Sequence, residues 1–248
     1  LYSRAATLRG GCLTINNENV VNIDAVYQTV LALANKEQRG YITPQEFNLF
    51  AEHAQMQIFE QYFYDTNQFK RVPGNQTEHA DMVTILEDKI HPFITSKTYF
   101  FYRSPSVGSL PKNYYRPYRV VVSYDTNIPS RVERIRPIKK EAVSEKITSQ
   151  EFTSYGYSPL TRPTITHPVH YIENYLVYFL PTLSEYPRGR VDVRFSYIRE
   201  PEKPEWTYVV INEKALYNPS GGAVDFELHP SEQKNLVNRI LKLAGISI

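Results

Sequence analysis

The sequence predicts an α+β protein: an N-terminal helical bundle, a central to C-terminal antiparallel β domain, and a closing docking helix with an apolar tail. Three observations carry this. Apolar residues recur at helical spacing between residues 21 and 92, and after His91-Pro92 the texture changes to short Tyr, Val, Phe and Ile runs broken by Pro and Gly. A last helical stripe then returns after His229. Helices, then strands, then one helix is the order of an α+β fold rather than of a wound parallel sheet.

Residues 1–20 show neither the helical nor the strand period, and Arg4 and Arg9 are not followed by the apolar core of a signal peptide. A disordered arm or an over-extended reading frame is the expectation there. The helical region is expected over 21–92. Its first helix runs from Ile23 to about Asn35, with Ile23, Val26, Tyr27, Val30 and Leu31 on one face, Asn22 as N-cap and Asp24 in the first turn. The second starts at Thr43-Pro44-Gln45-Glu46, where Thr43 and Glu46 form a capping box and Pro44 suits the first helical position. It is expected to end near Tyr64. A third helix fits Glu78 to Ile90 through Met82, Ile85 and Leu86.

A β-rich domain is expected over 93–228. Candidate strands are 93–102, 118–124, 132–138, a hairpin or paired strands over 169–180, 190–198 and 206–211. Alternation is strict in Val191, Val193, Phe195 and Tyr197, so one face of that strand must be buried. The Glu-, Lys- and Gln-rich stretch 141–153 predicts a short helix. The C-terminal part, 229–248, predicts a helix with Leu236, Val237, Ile240, Leu241 and Ala244 on one stripe, Gly245 as its C′ residue and a bare tail Ile246-Ser247-Ile248.

Composition excludes several classes. With 42% hydrophobic and 22% charged residues the chain is neither disordered as a whole nor collagen-like. Its longest apolar run, Tyr175 to Leu180, is far below the roughly 20 residues that cross a bilayer, so no membrane partner is expected. The single Cys12 cannot form an internal bridge. Net charge is only +2, but its sign is segregated. Residues 20–90 hold 5 Lys/Arg against 10 Asp/Glu, and residues 91–140 hold 10 against 2. The two blocks either fold against each other, or meet the opposite block of a second copy, or DNA.

No catalytic constellation stands out, and no enzyme activity is expected. Nucleotide-loop and nucleophile-elbow patterns are absent, and none of the six histidines forms HExxH or pairs with a cysteine. His167 and His170, three apart in a strand, would point to opposite faces. The segment from Asn35 to Glu46 has the frame of an EF-hand loop, with Gly40 at position 6 and Glu46 at position 12. Its ligands do not fit, because Asn35 is neutral and Arg39 places a cation where an oxygen is needed. A tight turn at Gly40 and the capping box explain the same residues, so neither a metal nor a cofactor is expected. Twenty Tyr residues, often beside Arg and Pro, suit a protein interface, a β core, or base stacking around Tyr114-Tyr115-Arg116-Pro117-Tyr118-Arg119.

Five segments carry a resemblance: Val21 to Tyr27, Arg39 to Asn48 and Ala54 to Phe63 in the helical region, then Tyr197 to Trp206 and Asp225 to Ile246. Together they resemble virion proteins of tailed bacteriophages, particularly crAss-like and related marine phages, of the head–tail connector (adaptor or neck-ring) type. The resemblance implies a homo-oligomeric ring linking portal protein to tail proteins, with DNA in passage or in contact. It implies a place in the virion neck, and in the host cytoplasm during assembly. It also implies docking through the C-terminal segment. The partner-contacting residues expected on this reading are Leu236, Ile240, Leu243, Ile246 and Ile248, with Arg116 and Arg119 on the basic block. The alternatives left open are a degenerate EF-hand-like calcium module and a DNA-binding structural protein.

Overall fold

The computed structural model describes residues 20–36, 41–71, 77–102, 107–125, 139–186, 190–212 and 214–246. The fold is mixed α+β, with five α-helices and nine strands among the described residues. The chain divides into two compact units, one formed by 1–89 with 201–248 and one by 90–200. This division differs from the one expected: residues 201–228 belong with the helices, not with the strands that precede them.

In the helical unit, α1 spans Ile23–Lys36 and α2 spans Pro44–Arg71. Helix α3 covers Thr77–Ile90 and ends at the unit boundary. Both expected caps are made. Asn22 Oδ1 accepts the Ala25 N–H at 2.9 Å, and the Thr43 and Glu46 side chains bond each other's backbone N–H. The Thr43 N–H and hydroxyl hold the Glu46 carboxyl below its ordinary range. That carboxylate is therefore engaged by the helix end, while Gly40 and the middle of the EF-hand-like frame lie outside the described residues. Helix α2 runs seven residues past Tyr64 because no breaker occurs before Pro73-Gly74.

The strap 201–206 and the segment 218–228 are laid along α2 by two of its amide side chains. Asn48 accepts from the Trp206 N–H at 2.9 Å and donates to the Trp206 carbonyl at 3.3 Å. Two turns further on, buried Gln55 donates to the Glu202 carbonyl at 2.7 Å and accepts from the Glu227 N–H at 3.2 Å. Each amide thus serves the extended backbone as a neighbouring strand would. Trp206 sits at the centre, its ring 4.2 Å from that of Tyr27 and its Nε1 donating to Asp24 Oδ1 at 2.9 Å. Tyr208 and Tyr217 stack on it from the hairpin of β8 (Tyr208–Ile211) and β9 (Lys214–Tyr217).

Helix α5 (Gln233–Leu243) closes this unit, with Leu236, Val237, Ile240 and Leu241 buried. The chain then turns back. Gly245 takes φ +78°, its N–H bonds the Lys242 carbonyl at 3.1 Å, and the Ile246 N–H bonds the Leu241 carbonyl at 2.9 Å. This is a Schellman end, which folds the residue after the glycine against the last helical turn. Ile246 is accordingly 4% exposed. The apolar tail expected to project past the helix does not do so at Ile246; Ile248 lies outside the described residues. Ile246→Ala should therefore lower the stability of the isolated chain by about 2–4 kcal/mol. An unchanged denaturation midpoint would show that the burial contributes nothing.

The β unit holds β1 (Ile94–Tyr102), β2 (Val107–Ser109), β3 (Tyr114–Asp125), β4 (Lys139–Lys146), β5 (Val169–Glu173), β6 (Leu176–Leu180) and β7 (Arg190–Arg199). They form one sheet in the order β1-β7-β3-β4-β5-β6-β2. All neighbours are antiparallel except β4 and β5, which pair parallel at only two positions, Glu145 with Val169 and Lys146 with His170. The sheet is nearly closed on itself. Tyr99 Oη on edge strand β1 donates to the Ser109 carbonyl on edge strand β2 at 2.7 Å, and the Phe101 ring lies against Gly108. The alternation of Val191, Val193, Phe195 and Tyr197 faces this interior, beside Val120, Val122, Tyr124, Val177 and Phe179.

The helix expected over 141–153 is split. Residues up to Lys146 form β4, and only Ser149–Tyr157 is helical (α4), capped by a Thr148–Glu151 box. Lys and Glu favour helix locally, but Ala142 and Ser144 are buried while Glu141, Val143 and Glu145 are exposed. Pairing with β3 along six positions overrides that local preference. The strand expected over 132–138 lies outside the described residues.

Candidate interaction surfaces

The sequence-predicted contact residues fall into different environments. Leu236 and Ile240 are fully buried in the helical unit's own core, as is nearly all of Ile246. None of the three can reach a partner without opening that core, which corrects the expectation of a docking helix. Leu243, 37% exposed, stands apart from them beside Gln57, Arg239 and Lys242 in a shallow groove between α2 and α5. Arg116 and Arg119 lie on β3, at the register shifts that interrupt its pairing with β7, and both are exposed. The Arg116 guanidinium lies 5.3 Å from the Tyr115 ring centroid. A residue pushed out at a bulge is freed from the strict inward-outward alternation of a strand.

The sign of the charge also differs between the residue ranges of the two units. The β unit, 90–200, carries 16 Lys/Arg against 9 Asp/Glu, a net +7. The remainder carries 12 against 17, a net −5. On the outer face of the sheet the charges are mixed: Lys139 pairs with Asp192 at 3.5 Å and Ser123 donates to Glu141.

Two apolar features were missed by sequence reasoning. Tyr157 and Leu160, at the end of α4 and just after it, are 86% and 97% exposed. On the β8–β9 hairpin Val209, Val210, Ile211 and Leu216 are all exposed. The sequence signal for the second was present, because three consecutive apolar residues in a strand cannot all face one side.

Two polar clusters lie inside the units. In the helical unit, Lys89 Nζ meets Glu232 Oε1 at 2.6 Å, Asn235 donates to Glu232 at 3.0 Å, and Arg239 bonds Asn235, Gln57 and Gln61. Burial pushes the Glu232 carboxyl up, but the Lys89 and Asn235 hydrogen bonds with the Lys89 and Arg239 charges outweigh it and hold the group below its ordinary range. The neighbouring Tyr62 Oη is buried without a hydrogen-bond partner. All of these side chains brace α2, α3 and α5.

In the β unit, Ser144 Oγ lies 2.9 Å from His170 Nδ1, both residues being buried. A serine beside a histidine invites comparison with a nucleophile and its base. Here His170 Nε2 has no hydrogen-bond partner, so no carboxylate orients the ring, and the hydroxyl faces the interior. His167 is exposed and bonded to Thr166, away from His170. Among the described residues no three His, Cys, Asp or Glu side chains converge as a metal site would require, and no helix is long and apolar enough to cross a membrane. Comparison with protein-family models and with curated proteins returns no match for this chain.

Proposed function

We propose that this chain is a structural subunit of a virion, assembling head to tail into a connector ring between portal and tail of a tailed bacteriophage. The observation that carries the reading is the separation of charge along the chain, a net +7 over residues 90–200 and −5 over the remainder. A subunit with opposite signs on its two units attracts copies of itself in a polar, heterologous contact. Such contacts generate rings when the rotation closes. The exposed apolar residues of the β8–β9 hairpin and of the turn after α4 give a neighbour surface to cover. The resemblance of the helical segments and the α5 region to neck proteins supplies the setting: portal and tail proteins as neighbours, and DNA in the channel.

The test is assembly as a function of ionic strength. Ring-sized particles should appear by negative-stain microscopy and sedimentation at low salt, and the apparent association constant should fall at least tenfold between about 0.05 and 0.5 M salt. Arg116→Glu with Arg119→Glu should weaken assembly further while leaving the melting temperature within about 1 °C, since both side chains are exposed. A chain that stays monomeric at every salt concentration would overturn the ring reading. Salt-steep DNA binding by such a monomer would favour a DNA-binding structural protein instead.

A further inference from the structure

We propose that the Ser144–His170 hydrogen bond is a latch across the weakest seam of the β unit, and that protonating His170 opens the sheet there. The latch concerns the β unit alone and is independent of any assembly. The seven strands form two antiparallel leaves, β1-β7-β3-β4 and β5-β6-β2. At the parallel junction the leaves pair at only two positions, and the backbone hydrogen bonds that flank them are Glu145 N–H to the Pro168 carbonyl at 3.0 Å and Ile147 N–H to the His170 carbonyl at 2.9 Å. On the opposite side the leaves meet through side chains, Tyr99 on Ser109 and Phe101 on Gly108. By contrast β3 and β7 pair along nine positions. The buried contact of Ser144 with His170 therefore sits at the hydrogen-bonded strand pair with the fewest paired positions.

Chemistry makes that contact sensitive to a proton. A neutral imidazole satisfies Ser144 through Nδ1 whichever tautomer it takes. The imidazolium has two N–H donors, and Nε2 faces no acceptor. Phe179 stands opposite His170 on β6, its ring centroid 6.0 Å away, and Ile172 follows on the same inner face. From β4 the charged neighbour is Lys146, paired with His170 in register and adding a second positive charge, while Glu145 points outward and is exposed. Helix α4 covers the other face of β5, placing Phe152 on Tyr171, and its Glu151 is exposed and held by Thr148. Among the described residues of the core cluster the ionisable groups are phenols, including Tyr124 and Tyr186. Nothing among these residues offsets a charge on the ring.

Burial first and Lys146 second lower the His170 pKa from 6.5 to about 4. The closed sheet thus binds fewer protons than the opened one between these values. Closure is fully favoured above pH 6.5 and is lost progressively as pH falls toward 4. Water reaching Nε2 through the parted seam supplies the acceptor that the closed form lacks.

Amide exchange of the full chain, corrected for intrinsic rates, tests this. Between pH 7 and pH 4.5 protection of the Glu145 and Ile147 amides should drop about fifty-fold, while the β3/β7 ladder keeps its protection. In His170→Phe the seam amides should show no such pH dependence. If that variant does not fold, His170→Gln, which keeps a partner for Ser144 and does not titrate, should behave in the same way. The same pH-dependent loss in the folded variant, or a uniform loss over seam and ladder alike in the native chain, would overturn the latch.

Discussion

Trp206→Ala should destabilise the helical unit by about 3–5 kcal/mol, a loss at the upper end of what one substitution causes. Its indole is fully buried among Tyr27, Tyr208 and Tyr217, and its Nε1 bonds Asp24 on α1. Truncation removes the ring that joins α1, the strap and the hairpin, and leaves Asp24 without that donor. Because this is the only Trp in the chain, the loss is best followed by circular dichroism at about 222 nm in denaturant, where helix content reports unfolding, not by fluorescence. Trp206→Phe should recover part of the loss through ring packing while still lacking the bond to Asp24. A midpoint that moves by less than the equivalent of about 1 kcal/mol in the alanine variant would show that the aromatic cluster is dispensable.

Gln55→Leu is expected to cost about 2–4 kcal/mol despite adding apolar volume, because it strands two backbone groups. The Glu202 carbonyl and the Glu227 N–H each lose their partner near the buried surface of α2. Exchange at the Glu227 amide should accelerate with the same free energy, since its protection comes from this side chain. Asn48→Ala should act in the same direction on the Trp206 backbone. Combined with Trp206→Ala it should be less than additive, because loss of the indole already loosens the backbone that Asn48 holds. Protection of Glu227 unaltered in Gln55→Leu would mean that the segment is held by other means.

Local signals were legible where a few neighbouring residues settle the structure. Asn22 and the Thr43–Glu46 box mark helix starts by their own side-chain bonds, Gly245 marks a helix end by its positive φ, and Val191 to Tyr197 mark a half-buried strand by period two. What stayed hidden depends on distant partners. Strand β4 reads as helix until β3 is beside it. Gln55 and Asn48 read as ordinary polar positions on a helix, since their backbone partners lie 147 and 158 residues away. The tail looked uncovered because a Schellman turn reverses the chain in two residues, and counting helical stripes stops at the last periodic residue. Of the expected contact residues, Arg116, Arg119 and Leu243 are at the surface, whereas Leu236, Ile240 and Ile246 are core. A stripe that buries a helix in its own unit and one that would dock it on another look alike in sequence.

The helical unit is built from two stretches of chain separated by the whole of 90–200. During synthesis α1 and α2 leave the ribosome with their apolar faces bare, and Trp206, Phe226 and the α5 stripe that cover them arrive more than a hundred residues later. The seven strands of the β unit, by contrast, come from one uninterrupted segment and can close as soon as β7 has emerged. The nascent chain must therefore carry an exposed helical surface through the entire making of the sheet. A chaperone that shields apolar helices should bind it in that interval and release it only after α5 has been added.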